Sequence, residues 1–202
     1  MLNIFARASV SRVTDPIGAW LVRLGLTPNS VTVLGTIGTV AATLWFFPRG
    51  QLFVGTLAVT AFVLFDLLDG AMARAQGSGT PFGAVLDASC DRIADGALFA
   101  ALAWYAFAAG DRWSAAASLV SLVAAQVVSY VKARAEASGL SADGGIAERA
   151  ERLIIVLVGA GLSGLGVPYV LEVALWLCAV LTAATVVQRL LLARGSDTEV
   201  VG

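Results

Sequence analysis

Four aspartates, Asp66, Asp69, Asp87 and Asp91, stand inside stretches that are otherwise apolar enough to cross a bilayer. Ionisable groups there are costly and ask for a functional explanation. Asp66 and Asp69 are three residues apart, Asp87 and Asp91 four. On an ideal helix these spacings correspond to about 300° and about 400°, so each pair shares one face. Two such faces turned toward each other make a carboxylate box. Four carboxylates together repel one another and take up protons unless positive charge offsets them. An all-oxygen donor set points to a hard cation, Mg²⁺ or Mn²⁺. The chain has no His and two Cys, Cys90 and Cys178, which argues against zinc or copper and against a disulfide framework.

Divalent cations on carboxylates suit phosphoryl transfer, because they clamp a pyrophosphate and neutralise charge on the leaving group. A carboxylate that binds metal less tightly can serve as general base for an attacking hydroxyl. Asp91 is the candidate for that role, and the residues alone do not separate it from Asp87. Arg74, one turn past Asp69 and Gly70, is placed to pair with phosphate oxygens. Gly70 and Gly83 each sit beside an acid where a bulky ligand needs backbone clearance. The small residues around Gly35 and Gly38 read as helix packing.

The elements that must position these groups are membrane helices. With 58% hydrophobic and 13% charged residues and a mean hydropathy of +0.85, the 202-residue chain is too apolar for a soluble domain of its size. Six apolar segments, 29–47, 51–74, 82–109, 113–135, 148–165 and 168–192, each approach spanning length, and short Gly- and Pro-containing breaks separate them. Residues 1–15 carry Arg7 and Arg12 among apolar residues, which fits an amphipathic interfacial helix ended near Pro16 better than a cleaved signal. The expected fold is therefore all-α: one membrane domain over 1–202, with six transmembrane helices and that interfacial helix. Threaded through six spans, the sequence puts Arg7, Arg12, Arg23, Arg74, Lys132, Arg134, Arg149, Arg152, Arg189 and Arg194 on one side. Arg49 and Arg112 fall on the other. The positive-inside rule then places both termini, the Gly77–Pro81 loop and the Ser138–Ala147 loop in the cytoplasm, and the acids near that face.

The run Asp66-x-x-Asp69-Gly70-x-x-Ala73-Arg74, followed by Gly83-x-x-x-Asp87-x-x-x-Asp91, resembles the signature of the CDP-alcohol phosphotransferases. The resemblance implies that Asp66, Asp69, Asp87 and Asp91 bind two divalent metals and that Asp91 is the proton acceptor. It also implies that Asp69, Gly70, Ala73, Arg74 and Gly83 contact CDP-diacylglycerol in a six-helix, homodimeric protein of the cell membrane. Asn29-Ser30-Val31-Thr32 resembles the family segment that contributes to the same site, and Thr80 is assigned there on similar grounds. Asn29 or Ser30 also reads as a helix N-cap.

A second match, Ser129 to Glu136, then Glu148 to Arg152, then Gln188-Arg189, resembles the actinobacterial branch of that family that makes phosphatidylinositol phosphate. It implies that Ser129, Lys132, Arg152 and Arg189 hold the phosphate of an inositol phosphate acceptor. The positive charge of Lys132, Arg152 and Arg189 at helix ends suits a phosphorylated acceptor, and the same residues also read as a positive-inside cluster partly paired with Glu136, Glu148 and Glu151. The expected reaction is transfer of the phosphatidyl group from CDP-diacylglycerol to inositol phosphate, with release of CMP. Glycerol phosphate as acceptor is the alternative within the class. An ion or proton transporter is the alternative outside it, although it does not explain the spacing of Gly70, Arg74 and Gly83. Asp95, one turn beyond Asp91, is expected to pair with Arg92 or to support the metal ligands from behind.

Overall fold

The computed structural model describes residues 14–77 and 79–201, with side chains described through residue 197. Residues 14–23 form α1, and six longer helices follow: α2 (Pro28–Phe46), α3 (Leu52–Ala75), α4 (Pro81–Ala108), α5 (Arg112–Ala137), α6 (Arg149–Gly164) and α7 (Val170–Val201). A 3₁₀ turn, Phe47–Arg49, links α2 to α3, and no strand occurs among the described residues. The six apolar segments thus become six helices with boundaries close to those expected, except that α7 runs on to Val201 rather than ending near residue 192. The proposed interfacial stretch lies mostly outside the described residues. Among the described residues no break occurs at Pro16: helix runs from residue 14 through Pro16 and breaks at Leu24-Gly25. Gly25 has φ of +85°, and the bonds from Gly25 N to Val22 O and from Leu26 N to Leu21 O close the helix in a Schellman turn.

Helices α2, α3, α5 and α7 are each long and apolar enough to cross a membrane. Large apolar side chains on their surfaces are exposed, among them Ile37, Leu64, Val123 and Leu191. Apolar surface on this scale is what lipid, rather than water, favours. Helix α4 has the length, at 28 residues, but carries Asp87, Asp91, Arg92 and Asp95. Helix α6 has 16 residues, about 24 Å of rise against a hydrocarbon thickness of about 30 Å.

The contacts divide the chain into two compact units. The first comprises the described residues up to Thr43, together with Leu57–Ala94. Its core is Leu21, Val31 and Met72, with Val22, Leu26, Phe65 and Leu68 packed around them. Small residues let its helices approach closely: a Cβ added at Gly18 would stand 2.9 Å from Ala71, and one at Gly38 would stand 2.2 Å from the Phe62 ring.

The second unit comprises Leu44–Thr56 and the residues from Asp95 onward. There α7 packs against α5 and α6, and Gly159 takes the methyl of Ala174 so closely that an added Cβ would lie 2.3 Å from it. The Ser118 hydroxyl donates to Phe99 O at 2.7 Å, so this buried polar group is satisfied by backbone.

Candidate active site

In the first unit, α3 supplies Asp66 and Asp69, and α4 supplies Asp87 and Asp91. Carboxylate oxygens of Asp66, Asp87 and Asp91 all lie within 4.8 Å of one another. The cross-helix box expected from the spacings therefore forms for these three. The donor set is oxygen only and half exposed, which fits a hard divalent cation. Arg92 Nη2 stands 3.6 Å from Asp91 Oδ2 and offsets part of the negative charge. Asp69 is held differently: its Oδ2 accepts a hydrogen bond from the Thr32 hydroxyl of α2.

A cavity of about 620 Å³ adjoins the acids, lined by both Asp69 and Asp87. Seven of the residues expected to contact a nucleotide lipid line it: Asn29, Thr32, Asp69, Gly70, Ala73, Thr80 and Gly83. Gly83 has a steric reason to be glycine, since an added Cβ would lie 3.1 Å from Thr80 Oγ1 and 3.2 Å from Asn29 Oδ1. At Gly70 the nearest neighbour of an added Cβ is Arg74 Nη1, at 3.6 Å, so the backbone there faces open space.

Three expected contacts sit elsewhere. Val31 is fully buried in the apolar core with Leu21 and Met72. Ser30 closes the start of α2: its N–H donates to Thr27 Oγ1 at 3.2 Å, and its hydroxyl donates to Thr27 O at 2.7 Å. The N-cap is thus Thr27, with Pro28 in the first helical position, rather than Asn29 or Ser30. Arg74 Nη2 bonds Asp15 Oδ1 at 2.8 Å, with both side chains about half exposed.

Sequence reading missed Thr27, Pro28, Gln76, Gly79, Pro81 and Ala84, all of which line the cavity. For Gln76 a signal was available, because it lies three residues past Ala73 and shares its face.

The second unit holds the basic residues, and they converge on the connector 138–148. Lys132 Nζ lies 2.6 Å from Asp143 Oδ1 and 3.7 Å from Glu136 Oε1. The ammonium group of Lys132 holds the Asp143 carboxyl below the ordinary carboxylate range, by hydrogen bonding first and by charge second. Arg189 donates from Nε to Gly144 O and from Nη1 to Val128 O, both at 2.9 Å, and lies 3.8 Å from Glu148 Oε1. Ser129 donates to Ala125 O at 3.2 Å within its own helix.

Arg152 is not an exposed cation: it is 2% exposed, donates from Nη1 to Ala147 O at 3.0 Å, and meets Asp95 Oδ2 at 3.3 Å through Nη2. Arg149 Nε completes the pairing at 3.1 Å from Asp95 Oδ1. The partners of Asp95 shown by the fold thus come from α6, while Arg92, expected beside Asp95, meets Asp91.

Comparison with known proteins places these features in context. The CDP-alcohol phosphatidyltransferase family model matches residues 25–187. The phosphatidylinositol phosphate synthase of Mycobacterium marinum is 57% identical over 189 residues, covering 92% of this chain and 81% of that protein. The enzyme of the same name from Corynebacterium glutamicum is 49% identical over 195 residues, covering 96% and 89%. Among solved structures, Mycobacterium tuberculosis phosphatidylinositol phosphate synthase with CDP-DAG bound superposes with a TM-score of 0.88 at 57% identity, covering 92% of this chain and 95% of that one. The same synthase in complex with manganese and citrate gives 0.87 at 55% identity, covering 91% and 90%.

Proposed function

The chain belongs to the CDP-alcohol phosphatidyltransferase family, and from that membership we propose that it transfers the phosphatidyl group of CDP-diacylglycerol to inositol phosphate, releasing CMP. The observation that carries the chemistry is the trio Asp66, Asp87 and Asp91 beside a cavity that shares Asp87 and adds Asp69 and three glycines. Relatives at 57% and 49% identity that bear the name phosphatidylinositol phosphate synthase support the choice of acceptor.

In this reading the cytidine diphosphate part of the lipid occupies the cavity, where Gly70 and Gly83 allow it to approach the backbone. Asn29, Thr32, Ala73 and Thr80 line the same space. Arg74 is positioned beside Gly70 and exchanges its solvent-exposed partner Asp15 for phosphate oxygens. Such an exposed pair contributes about 0–1 kcal/mol, so the exchange is cheap. Asp66, Asp69, Asp87 and Asp91 would hold two divalent cations, Mg²⁺ or Mn²⁺, which would supply positive charge to offset the pyrophosphate and the leaving CMP. Asp91 accepts the proton of the attacking inositol hydroxyl. The new bond forms at the β-phosphorus as its bond to the CMP oxygen breaks.

Lys132 and Arg189, with Ser129, hold the acceptor phosphate. Arg152 contributes from a buried position, where its Nε has no hydrogen-bond partner. Helices α4 and α6 complete a set of six spans, α4 crossing with Asp87 and Asp91 at the site and Asp95 paired with α6, and α6 by local thinning of the bilayer. Residues 1–202 act as one domain in the cell membrane, as a homodimer, with the acids toward the cytoplasm by the bias of basic residues.

CMP release measured across acceptor alcohols, with purified protein, CDP-diacylglycerol and Mg²⁺ or Mn²⁺, tests the assignment. Turnover with inositol phosphate is expected. Turnover with glycerol phosphate and none with inositol phosphate overturns it.

A further inference from the structure

Thr32 and Gly35 lie one turn apart on α2 and meet two acids that lie one turn apart on α3. The Thr32 side chain is almost wholly buried, and its hydroxyl donates to Asp69 Oδ2. The same oxygen lies 3.1 Å from Pro28 O. One hydroxyl has one proton, and of the two acceptors the carboxylate is the stronger. Three residues on, a Cβ added to Gly35 would stand 3.3 Å from Asp66 Oδ1 and 3.6 Å from Asp66 Cα. That is tighter than ordinary van der Waals contact, so a methyl there presses on the Asp66 carboxylate by a few tenths of an ångström. One further turn along, Gly38 receives the Phe62 ring. Thr32 against Asp69, Gly35 against Asp66 and Gly38 against Phe62 are thus successive rungs of one close antiparallel contact between two helices.

We infer that Thr32 and Gly35 are positioning residues for the metal-binding acids: the Thr32 hydroxyl fixes the Asp69 carboxylate, and the missing side chain of Gly35 makes room for that of Asp66. Asp66 belongs to the trio shared with Asp87 and Asp91, whereas Asp69 lines the cavity. Controlling both from one helix face couples the start of α2 to the geometry of the whole donor set. Hydrogen-bonded partners behind metal ligands set affinity by orienting the ligand atom, typically by about 10- to 100-fold. The inference rests on the metal-dependent reading above and deepens it, giving Thr32 a task distinct from contact with the nucleotide.

The test is Mn²⁺ binding to detergent-purified protein without substrate, read as loss of the free-ion signal in electron paramagnetic resonance. Thr32→Val, which keeps shape and removes the hydroxyl, is expected to weaken binding about 10-fold. Thr32→Ser, which keeps the hydroxyl, is expected to bind as wild type does. Gly35→Ala is expected to weaken binding in the same direction. Equal Mn²⁺ affinity in Thr32→Val and wild type overturns the inference, as does equal weakening in Thr32→Val and Thr32→Ser. If Thr32→Val does not yield a monodisperse protein, Gly35→Ala decides, and unchanged affinity there refutes the positioning role. Absence of Mn²⁺ binding in the wild type is a different result, which removes the metal-dependent reading itself.

Discussion

Replacing Asp95 by Leu removes the counter-charge of a guanidinium that has almost no access to water. The side chains of Asp95 and Arg152 are each 2% exposed, with 3.3 Å between Oδ2 and Nη2, and Arg149 Nε adds a second contact at 3.1 Å. At an effective dielectric constant of about 20, each contact corresponds to about 5 kcal/mol of Coulomb attraction. Desolvation has already cancelled much of that gain, so the cost of breaking the pair from one side is about 3–5 kcal/mol. In the variant, Arg152 keeps Ala147 O as an acceptor but carries a buried charge with nothing opposite. For a chain of this length each kcal/mol shifts Tm by about 2–4 °C, so the expected loss is about 10 °C. The assay is intrinsic tryptophan fluorescence of detergent-solubilised protein at one fixed scan rate, because membrane proteins often unfold irreversibly. The double variant Asp95→Leu/Arg152→Met removes both buried charges and is expected to recover at least half of the loss. If the double variant is as unstable as the single one, or if Asp95→Leu melts with the wild type, the pair does not have the energetic role assigned to it.

Four other outcomes follow from the geometry. Asp91→Asn is expected to lower CMP release by about 10²–10⁴-fold while CDP-diacylglycerol binding is retained; an active variant removes Asp91 from the role of base. Gly83→Ala places a methyl 3.1 Å from Thr80 Oγ1 and 3.2 Å from Asn29 Oδ1, and should raise KM for CDP-diacylglycerol more than KM for the acceptor. Lys132→Met should raise KM for inositol phosphate far more than that for the lipid, and equal effects on both would make Lys132 structural. The Asp143 carboxyl is held below its ordinary value by Lys132, so its stabilising contribution is present above the unfolded pKa of about 3.9 and fades as pH falls through the lower folded value. The Tm difference between wild type and Asp143→Asn should therefore stay constant from neutral pH to about 5 and shrink only below about 4; a difference that vanishes between pH 7 and 6 contradicts the pairing.

How far the sequence could be read depended on the range of each interaction. The helices were legible because apolar runs and their Gly and Pro breaks are local signals, and the structure moved their ends by only a few residues, apart from the extended end of α7. The acid pairs were legible for the same reason, since helical spacing alone puts Asp66 with Asp69 and Asp87 with Asp91 on shared faces. Within Asn29–Thr32 the same rule, applied residue by residue, separates Asn29 and Thr32, which line the cavity, from Ser30 and Val31, which turn away. Gly35 looked like a packing glycine until the contact with Asp66 showed what it packs against.

The sequence by itself determined the class of molecule, the helices and the chemistry of the donor set, because composition and short spacings act within one or two turns. Tertiary structure alone decided which acids converge, that Thr32 holds Asp69, that Arg74 meets Asp15, and that Asp95 takes its partners from 54 and 57 residues away. Those outcomes depend on which helix faces pack together. Side chains of like charge and like spacing are interchangeable along the chain, and only packing, by burying one and exposing another, assigns each its partner.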